Sequence, residues 1–420
     1  MPETTMRLTN TLRLMLLTSL ASTALIGQAL ALDAQAFVDR VAKVYEKAGY
    51  ELSFGPARME GDSIVVDGVT VAIAGVEEEP VKFDTEITFS GVSEAADGSY
   101  RAASVTIPDI DTTIEDEEEG ATIGVTVSDI RADGLYLPAP EALTPVAMMQ
   151  TAAAMSSGPV SITRDGVEIF SIESTRFAAE FAPDQTSAVL ESVDTVFAMN
   201  GISVDLTTMS EEDPDTAAVI EQLGLLTVNG AITQKASWTL SDGRVVVDEF
   251  LFDFDQVGAL NFTSEFTGFT PALLEQLEAL QQQAMAAGEM SDEQQQALMM
   301  SSMAAMQGVN IVKASVRYDD ASLASNLLDF FASESGASRA DFAAGIKAML
   351  PSILAETGVP ALADLAVPAL SAFLDDPRSI ELKVAPPSPV SLLVMMAAAA
   401  NPAGLITALG LSLEANSPAQ

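Results

Sequence analysis

Carboxylates are the main side chains in this sequence that could carry chemistry. The chain has 60 Asp and Glu residues against 19 Lys and Arg, and it contains neither histidine nor cysteine. Serine-histidine and cysteine-histidine catalysis, thiol chemistry and the usual zinc sites are therefore excluded. No glycine-rich phosphate loop of the Walker or dinucleotide type is present, so we expect no cofactor.

Paired carboxylates could still support hydrolysis, because glycoside cleavage needs only two acids at a set separation. Among 60 acidic residues such pairs arise by chance, and their presence has little specificity. One tryptophan, Trp238, and five tyrosines offer few of the aromatic platforms that sugar sites use. We expect a protein that is not an enzyme, and a carboxylate-dependent hydrolase is the less favoured alternative.

The densest acidic run extends from Asp109 to Glu119. Hard cations bind groups of oxygen ligands, and a loop of this composition could supply them. The run lacks the glycine-punctuated spacing of a dedicated calcium loop. We predict a solvated hairpin tip and no metal site, and cation binding by this run is left open.

Three phenylalanines are candidates for contact with an apolar ligand. Phe250, Phe252 and Phe254 alternate with Leu251, Asp253 and Asp255 along a predicted strand. Alternate residues of a strand point to the same side, so the three rings are expected on one face.

A methionine cluster is the second candidate. Met299, Met303 and Met306 follow the four-then-three spacing of one helix face, and Met395 and Met396 form a further pair. Thioethers bind copper(I), but methionine is also an adaptable filler of cores and grooves. We expect Met299, Met303 and Met306 to line an apolar site or to pack, without metal.

The formal net charge of −41 excludes some partners. A field of this sign repels nucleic acid and anionic membrane surfaces, so neither is expected to bind. A surplus of acidic residues also keeps a surface hydrated in salt, which favours a marine or salt-tolerant bacterium as the source.

The N-terminus has the pattern of a cleaved signal peptide, predicted at residues 1–31. Arg7 and Arg13 precede an uncharged run from Leu14 to Leu32, and Ala29-Leu30-Ala31 supplies the small residues that a signal peptidase requires. A retained membrane anchor is the alternative. Export without any cysteine favours a bacterial periplasm, where the fold must depend on core burial alone.

The sequence is expected to divide into three regions after the signal peptide. Residues 32–137 comprise a helix at Asp33–Ala48, with an apolar stripe at three and four residue spacing, and a β-meander from Tyr50 to Leu137 with a period of two. Asp-Gly dipeptides at 67, 97 and 133 predict its turns.

Residues 138–269 are expected to contain a methionine-rich helix, including Met148, Met149 and Met155, followed by a second β-rich region. A hairpin is predicted there, with Ser241-Asp242-Gly243 as a type I′ turn. A helix capped around Asp213 is expected between the strands.

Residues 270–420 are predicted to be mainly helical. A helix beginning at Thr270-Pro271 is followed by helices at Asp292–Met306, Ser322–Ser333 and Arg339–Leu354. Strands are predicted at Val309–Tyr318, Ser379–Val384 and Gly410–Ala415. The uncharged stretch from Val384 to Leu413 is broken by prolines, which leaves too few residues for a membrane span.

Two segments resemble the strand-turn-strand units of AsmA and TamB bacterial envelope proteins. They are Leu240–Phe254, continuing through Gly258–Phe262, and Gly61–Val71. Ala48–Gly55, and Asp375–Ile380 with Ala385–Pro387, are similar to uncharacterised alphaproteobacterial periplasmic families. The resemblance implies β-structured grooves lined with apolar side chains and a role in organising or moving lipids in the envelope.

We therefore expect an α+β protein with antiparallel, taco-like β-rich sheets and a largely helical C-terminal third. Its expected function is non-catalytic binding or organisation of lipid or of an envelope protein in the periplasm. A structural or scaffolding protein with no small ligand is the alternative. The ligand, the partner and the oligomeric state do not follow from the sequence.

Overall fold

In the part of the chain that the structure describes, one helix precedes the sheet and the other helices are inserted between its strands. The computed structural model describes residues 32–47, 49–73, 80–115, 120–183, 185, 189–207, 214–287, 291–356, 359–391, 393–395 and 402–418. The helices are α1 (Ala34–Lys47), α2 (Pro145–Met149), α3 (Pro214–Leu223), α4 (Pro271–Ala287), α5 (Asp292–Ala305), α6 (Leu323–Glu334), α7 (Arg339–Ala355), α8 (Pro360–Asp375) and α9 (Pro402–Ala408).

The strands of the described residues form one antiparallel sheet of 21 members. They are β1 (Tyr50–Phe54), β2 (Ala57–Glu60), β3 (Ser63–Ile73), β4 (Val81–Ser90), β5 (Ser93–Glu94), β6 (Tyr100–Ile107), β7 (Ile110–Glu115), β8 (Thr122–Val127), β9 (Ile130–Leu137), β10 (Ala154–Ser157), β11 (Val160–Arg164), β12 (Val167–Ile172), β13 (Ser174–Ala182), β14 (Ser192–Asp205), β15 (Thr227–Thr239), β16 (Arg244–Phe254), β17 (Gly258–Thr267), β18 (Asn310–Asp320), β19 (Ser379–Val384), β20 (Val390–Ser391) and β21 (Leu411–Ala415).

The sheet is a meander in which chain order and spatial order coincide. Some consecutive strands, such as β6 with β7 and β8 with β9, lie end to end as two halves of one longer strand. We call each such pair, and each undivided strand, a row. β6 pairs with β9 and β7 with β8, then β9 with β10 and β8 with β11. From β14 to β18 every strand pairs with the next. The strands of both predicted β-rich regions therefore belong to one sheet.

A line of breaks crosses the middle rows. It runs through Pro108, Asp129, Pro159, Glu173 and Gly201, and neighbouring backbone groups still bond across it, as in Gly158 N to Ser128 O at 2.8 Å. Proline has no N–H to donate, and Asp129 and Gly201 have φ angles of 53° and 61°. The ladder is therefore interrupted at the same level in successive rows, which lets the sheet bend there.

Helix α1 covers the first rows and forms the largest core cluster with them. Asp33 caps its N-terminus by accepting a hydrogen bond from Gln35 N at 2.9 Å. Phe37 is fully buried and makes edge-to-face contacts with Phe89 and Tyr100, with ring centroids 5.0 and 5.5 Å apart. Arg40 donates to Pro138 O at 2.8 Å and so ties the helix to the far end of β9.

A second cluster lies where α2 and α4 meet the middle of the sheet. Trp238 and Val193 are buried there, with Val146 of α2 and Leu274 of α4 packed against them. The Trp238 Nε1–H donates to Phe269 O at 2.7 Å, which fixes the start of α4 beside β15. The two clusters cover separate parts of the same sheet face.

The α+β class, the helix at the start of the meander and the helical C-terminal third with its interspersed strands are confirmed. Ser379–Val384 was predicted as a strand with these bounds, and Thr270 caps α4 as expected, accepting from Leu273 N. Helix α8 was not predicted, because Pro360 and Pro368 lie within its span. The helix cap expected at Asp213 lies outside the described residues.

Three local predictions were wrong. Met155 lies on strand β10, and the helix before it is only Pro145–Met149. Thr239 pairs with Arg244 and Gly243 has a φ of 62°, so the hairpin has a four-residue turn instead of a two-residue type I′ turn. Two of the Asp-Gly turns are also absent, since Asp67-Gly68 forms a bulge inside β3 and Asp133-Gly134 lies inside β9, and a glycine with positive φ suits a strand irregularity as well as a turn.

We expect Phe37→Ala to lower the free energy of unfolding by about 3–5 kcal/mol, since it leaves a cavity beneath α1. Phe331 on α6 is 50% exposed, so Phe331→Ala is the matched control and should cost less than about 1 kcal/mol. Urea denaturation followed by far-UV circular dichroism measures both changes. Equal losses in the two variants would contradict the assignment of the core to α1.

Candidate functional site

The two faces of the sheet differ in chemistry along its whole length. Directly opposed residues in successive rows form a nearly unbroken apolar line on one face, which we call the apolar ladder. Its members, from the first row to the last, are Met59, Ile64, Phe89, Val105, Ala132, Met155, Phe177, Phe197, Gln234, Phe250, Phe262, Val316, Leu382 and Leu413.

A parallel line of apolar side chains accompanies the ladder two residues away on each strand. In the middle rows it consists of Met199, Ile232, Phe252, Leu260 and Tyr318. Alternation with a period of two places both lines on the same face. This face is therefore apolar over a strip at least two side chains wide.

Much of the apolar ladder is open to solvent. Helix α1 covers Ile64 and Phe89, which are buried, whereas Met59 in the first row is 40% exposed. Further along, Met155 is 53% exposed, Phe250 37% and Leu382 39%. Large apolar side chains that lie in a continuous exposed line are unusual, and they mark interaction sites more often than scattered ones do.

A cavity of about 510 Å³ lies on this face between α1 and the line of breaks. Val41 and Tyr45 of α1 form one wall, and burial raises the pKa of the Tyr45 phenol. The sheet supplies the rest, from Leu52 on β1 to Phe197 on β14. A cavity of this size, lined by hydrocarbon, suits a small apolar ligand.

The sheet must curve to enclose this cavity. In a flat sheet β1 and β14 would be about 34 Å apart, given the usual spacing between neighbouring rows. Most of the lining side chains from the strands belong to one face. One face of a sheet can form facing walls only if it is concave, so the apolar ladder runs along the inside of a trough.

The three phenylalanines predicted as ligand contacts all lie on this inner face. Phe250 is a member of the apolar ladder, and its ring centroid is 4.7 Å from that of Phe252 and 6.3 Å from that of Phe262. The Phe254 ring packs over Gly230 of the neighbouring row, where an added Cβ would meet the ring at 2.5 Å. These rings form a partly exposed aromatic cluster in the middle of the trough.

The predicted methionines lie elsewhere. Met299 and Met303 are on α5, which packs against α4, and Met306 follows in a short 3₁₀ turn. Met299 is 59% exposed, whereas Met303 and Met306 are partly buried. The predicted phenylalanines therefore lie on the sheet, whereas the predicted methionines lie on a helix and the turn that follows it.

Sequence analysis missed the part of the trough that encloses the cavity. Met155, Phe177 and Phe197 come from three different rows and are direct neighbours across the sheet. Phe177 and Phe197 lie in segments with period-two alternation, which was the available signal, whereas the segment of Met155 has no such alternation and was predicted as helix. The register that aligns them depends on turn lengths and bulges that alternation alone does not give.

The outer face carries the charges. Lys235 pairs with Glu249 at 3.0 Å, while Glu265 accepts from Arg244 at 2.8 Å and lies 3.4 Å from Lys313. These pairs connect neighbouring rows on the side opposite the apolar ladder. Ionic partners across adjacent strands favour one register over the alternatives.

An ion-pair network fixes the last rows. Arg317 is nearly buried and contacts Asp319 at 2.6 Å and Glu381 at 3.3 Å, and it also donates to Ser417 O at 3.0 Å. The hydrogen bonds that Arg317 donates to the Asp319 carboxylate raise the pKa of the Arg317 guanidinium. Because the partners come from β18, β19 and the C-terminal segment, this network holds the final strands together.

The acidic run is described only in part. Asp109 accepts from Asp129 N at 3.0 Å, and Asp111 lies on exposed strand β7, while Asp116 to Glu119 lie outside the described residues. The described residues contain no group of three or more acidic side chains arranged to hold a metal ion. Of the paired methionines, Met396 also lies outside the described ranges.

Two further observations concern membranes. Within the described ranges, no helix combines the length and the apolar character needed to cross a bilayer. The predicted signal peptide, residues 1–31, lies outside the described residues.

Comparison with known proteins gives a family model described as "Uncharacterized protein", which matches residues 251–416. The match begins inside β16 and ends at β21, and it covers less than half of the chain. It therefore includes Phe252, Phe254 and the α4–α9 region. No curated protein matches this chain.

Acidification should weaken the outer-face contacts. The hydrogen bond from Arg244 lowers the pKa of Glu265 below its ordinary value of 4.5. The lower folded-state pKa means that Glu265 stabilises the fold above its unfolded pKa, and this contribution is lost as pH falls through the folded pKa. Both cationic partners are half exposed, so we expect Glu265→Gln to cost only about 1 kcal/mol at pH 7.

The measurement is the free energy of unfolding in urea at pH 7 and at pH 3. The difference between wild type and Glu265→Gln should shrink at the lower pH, because a larger fraction of Glu265 is protonated there. Glu221→Gln, an exposed change on α3, is the control and should have little effect at either pH. A difference for Glu265→Gln that is equal at both pH values would contradict the electrostatic role.

Proposed function

We propose that this protein is an exported, non-catalytic envelope protein that binds lipid acyl chains in the trough. The observation that supports this proposal is the apolar ladder, which continues from a partly open cavity into a partly exposed line of large side chains. Hydrocarbon chains are flexible and carry no groups that require hydrogen bonds. They fit a long, shallow apolar surface whose backbone is already paired within the sheet.

The trough suits a lipid tail better than a peptide because of the hydrogen-bonding groups of a peptide backbone. A peptide laid across the rows would have to satisfy its own N–H and C=O groups, and the cavity lining offers mainly aliphatic and aromatic side chains. Burial of apolar area favours a hydrocarbon by about 25 cal/mol per Å² without that cost. The rings of Phe250 and Phe252 extend the same surface beyond the cavity.

The cellular setting is part of the proposal. A signal peptide cleaved after Ala31 would deliver the chain to the periplasm, where the absence of cysteine presents no difficulty for a fold held by core burial. The resemblance of Leu240–Phe254 to AsmA and TamB units supports a role in binding or organising envelope lipid.

Scaffolding is the second candidate. Helices α6 and α7 carry exposed Phe331, Met349 and Ile353, each at least 50% accessible, and such a patch could contact an envelope protein. A scaffold without a small ligand would leave the trough empty under all conditions, which the following experiment distinguishes.

The decisive substitution places a charge inside the trough at little cost to folding. Met155 is 53% exposed and lines the cavity, so Met155→Asp should abolish acyl-chain binding while the fold persists. Val196 is 46% exposed and directly precedes Phe197, which lines the cavity, so it lies on the opposite face. Val196→Asp is therefore the matched control and should bind as wild type does.

Residues 32–420 would be purified from a bacterial periplasm without detergent. Native mass spectrometry with lipid extraction then identifies any bound molecule, and titration with a fluorescent acyl-chain probe gives the dissociation constant. Co-purified lipid in wild type and Val196→Asp, but not in Met155→Asp, is the expected result. A clean apo mass together with no probe binding in wild type would overturn the proposal in favour of a scaffold.

A further inference from the structure

The described lining of the cavity offers no free cation to the headgroup of a bound lipid. Among the described residues that line the cavity, Arg131 is the single charged one. Its guanidinium contacts Asp133 at 2.5 Å, and this carboxylate raises the pKa of Arg131. The pair is neutral as a unit, so Arg131 offers little attraction to a phosphate.

Three basic residues of the strands beyond the cavity point away from the trough. Lys235 follows Gln234 of the apolar ladder, Arg317 follows Val316 and Lys383 follows Leu382, so alternation places all three on the outer face. Each is engaged there by carboxylates, namely Glu249, Asp319 with Glu381, and Glu381 with Glu414.

One edge of the sheet adds negative charge close to the trough. Alternate strands of an antiparallel sheet end at the same edge, and here they end at, or directly before, an acidic residue. Asp205 accepts from Thr207 N at 2.8 Å, and this hydrogen bonding lowers its pKa, so it stays ionised. The acidic residues at these strand ends are Glu115, Asp165, Asp205, Asp255 and Asp320.

We infer that the trough selects lipids by headgroup charge, and that it accepts zwitterionic or uncharged lipids and rejects anionic ones. This inference rests on the proposed function. The physical cause is the field of a chain with a net charge of −41, which no unpaired cation of the cavity lining offsets. An anionic headgroup held at the rim of the trough is repelled by this field, whereas an identical acyl chain with a zwitterionic headgroup is not.

The test compares lipids with identical palmitoyl and oleoyl chains. Phosphatidylcholine, phosphatidylethanolamine and phosphatidylglycerol each compete with a nitrobenzoxadiazole-labelled phosphatidylcholine for residues 32–420. At 20 mM salt we expect phosphatidylglycerol to bind about tenfold more weakly than the other two. At 0.5 M salt the ratio should approach one, because the Debye length shortens to a few ångströms.

A cation placed in the trough should weaken the preference. Gln234 is the polar member of the apolar ladder, between Phe197 and Phe250, so Gln234→Lys adds one positive charge on the inner face. Ser241→Lys, on the exposed four-residue turn, changes the net charge equally and serves as the control. We expect Gln234→Lys alone to strengthen phosphatidylglycerol binding severalfold at low salt.

The outcomes separate the two proposals. Equal binding of all three lipids at low salt would overturn charge selection and leave acyl-chain binding intact. Failure of every lipid to compete, together with no binding of the labelled lipid itself, would overturn the proposed function as well. Equal gains from Gln234→Lys and Ser241→Lys would assign selection to net charge alone and would contradict a role for the inner face.

Discussion

Antiparallel backbone hydrogen bonds join each row of this protein to the rows that precede and follow it in the sequence. Their register decides which side chains meet across the sheet, and a shift of one residue would exchange the two faces of a row. The alignment of Phe177, Phe197, Phe250 and Phe262 along one line is a consequence of this register. The trough exists because the register is kept through every turn, bulge and helical insertion.

The outer face helps to keep that register. Its ion pairs link residues of adjacent rows, as in Arg244 with Glu265 and Lys383 with Glu414. Exposed pairs of this kind contribute little to stability individually. Their value lies in specificity, since a slipped row would place these charges on the apolar face, where they would lose both water and partner.

The helices explain why the apolar face is only partly covered. Helix α1 buries the first rows through Phe37, and α2 with α4 bury the region around Trp238. Phe373 of α8 meets Tyr318 near the last rows, with ring centroids 6.5 Å apart. Between these covers, Met155, Phe250 and Leu382 stay accessible. A sheet with one apolar face normally buries it against another layer, so the uncovered strip is the feature on which the proposed lipid binding rests.

The sequence by itself determined the local elements and much of the chemistry. Period-two runs predicted the strands, the stripe containing Phe37 predicted α1, and the absence of histidine and cysteine removed most catalytic classes. It also placed Phe250, Phe252 and Phe254 on one face, because that relation is contained within a single strand. Local patterns suffice for properties that depend on near neighbours in the chain.

The tertiary structure alone decided how the rows align and where the sheet bends. The Asp67-Gly68 bulge and the breaks at Pro108 and Pro159 shift or interrupt pairing without ending the sheet, and nothing local distinguishes them from turns. Helix α8 likewise forms despite Pro368, because packing against α7 and β21 outweighs propensity. The cavity is lined by residues from β1 to β14, whose proximity depends on long-range pairing that no single segment encodes.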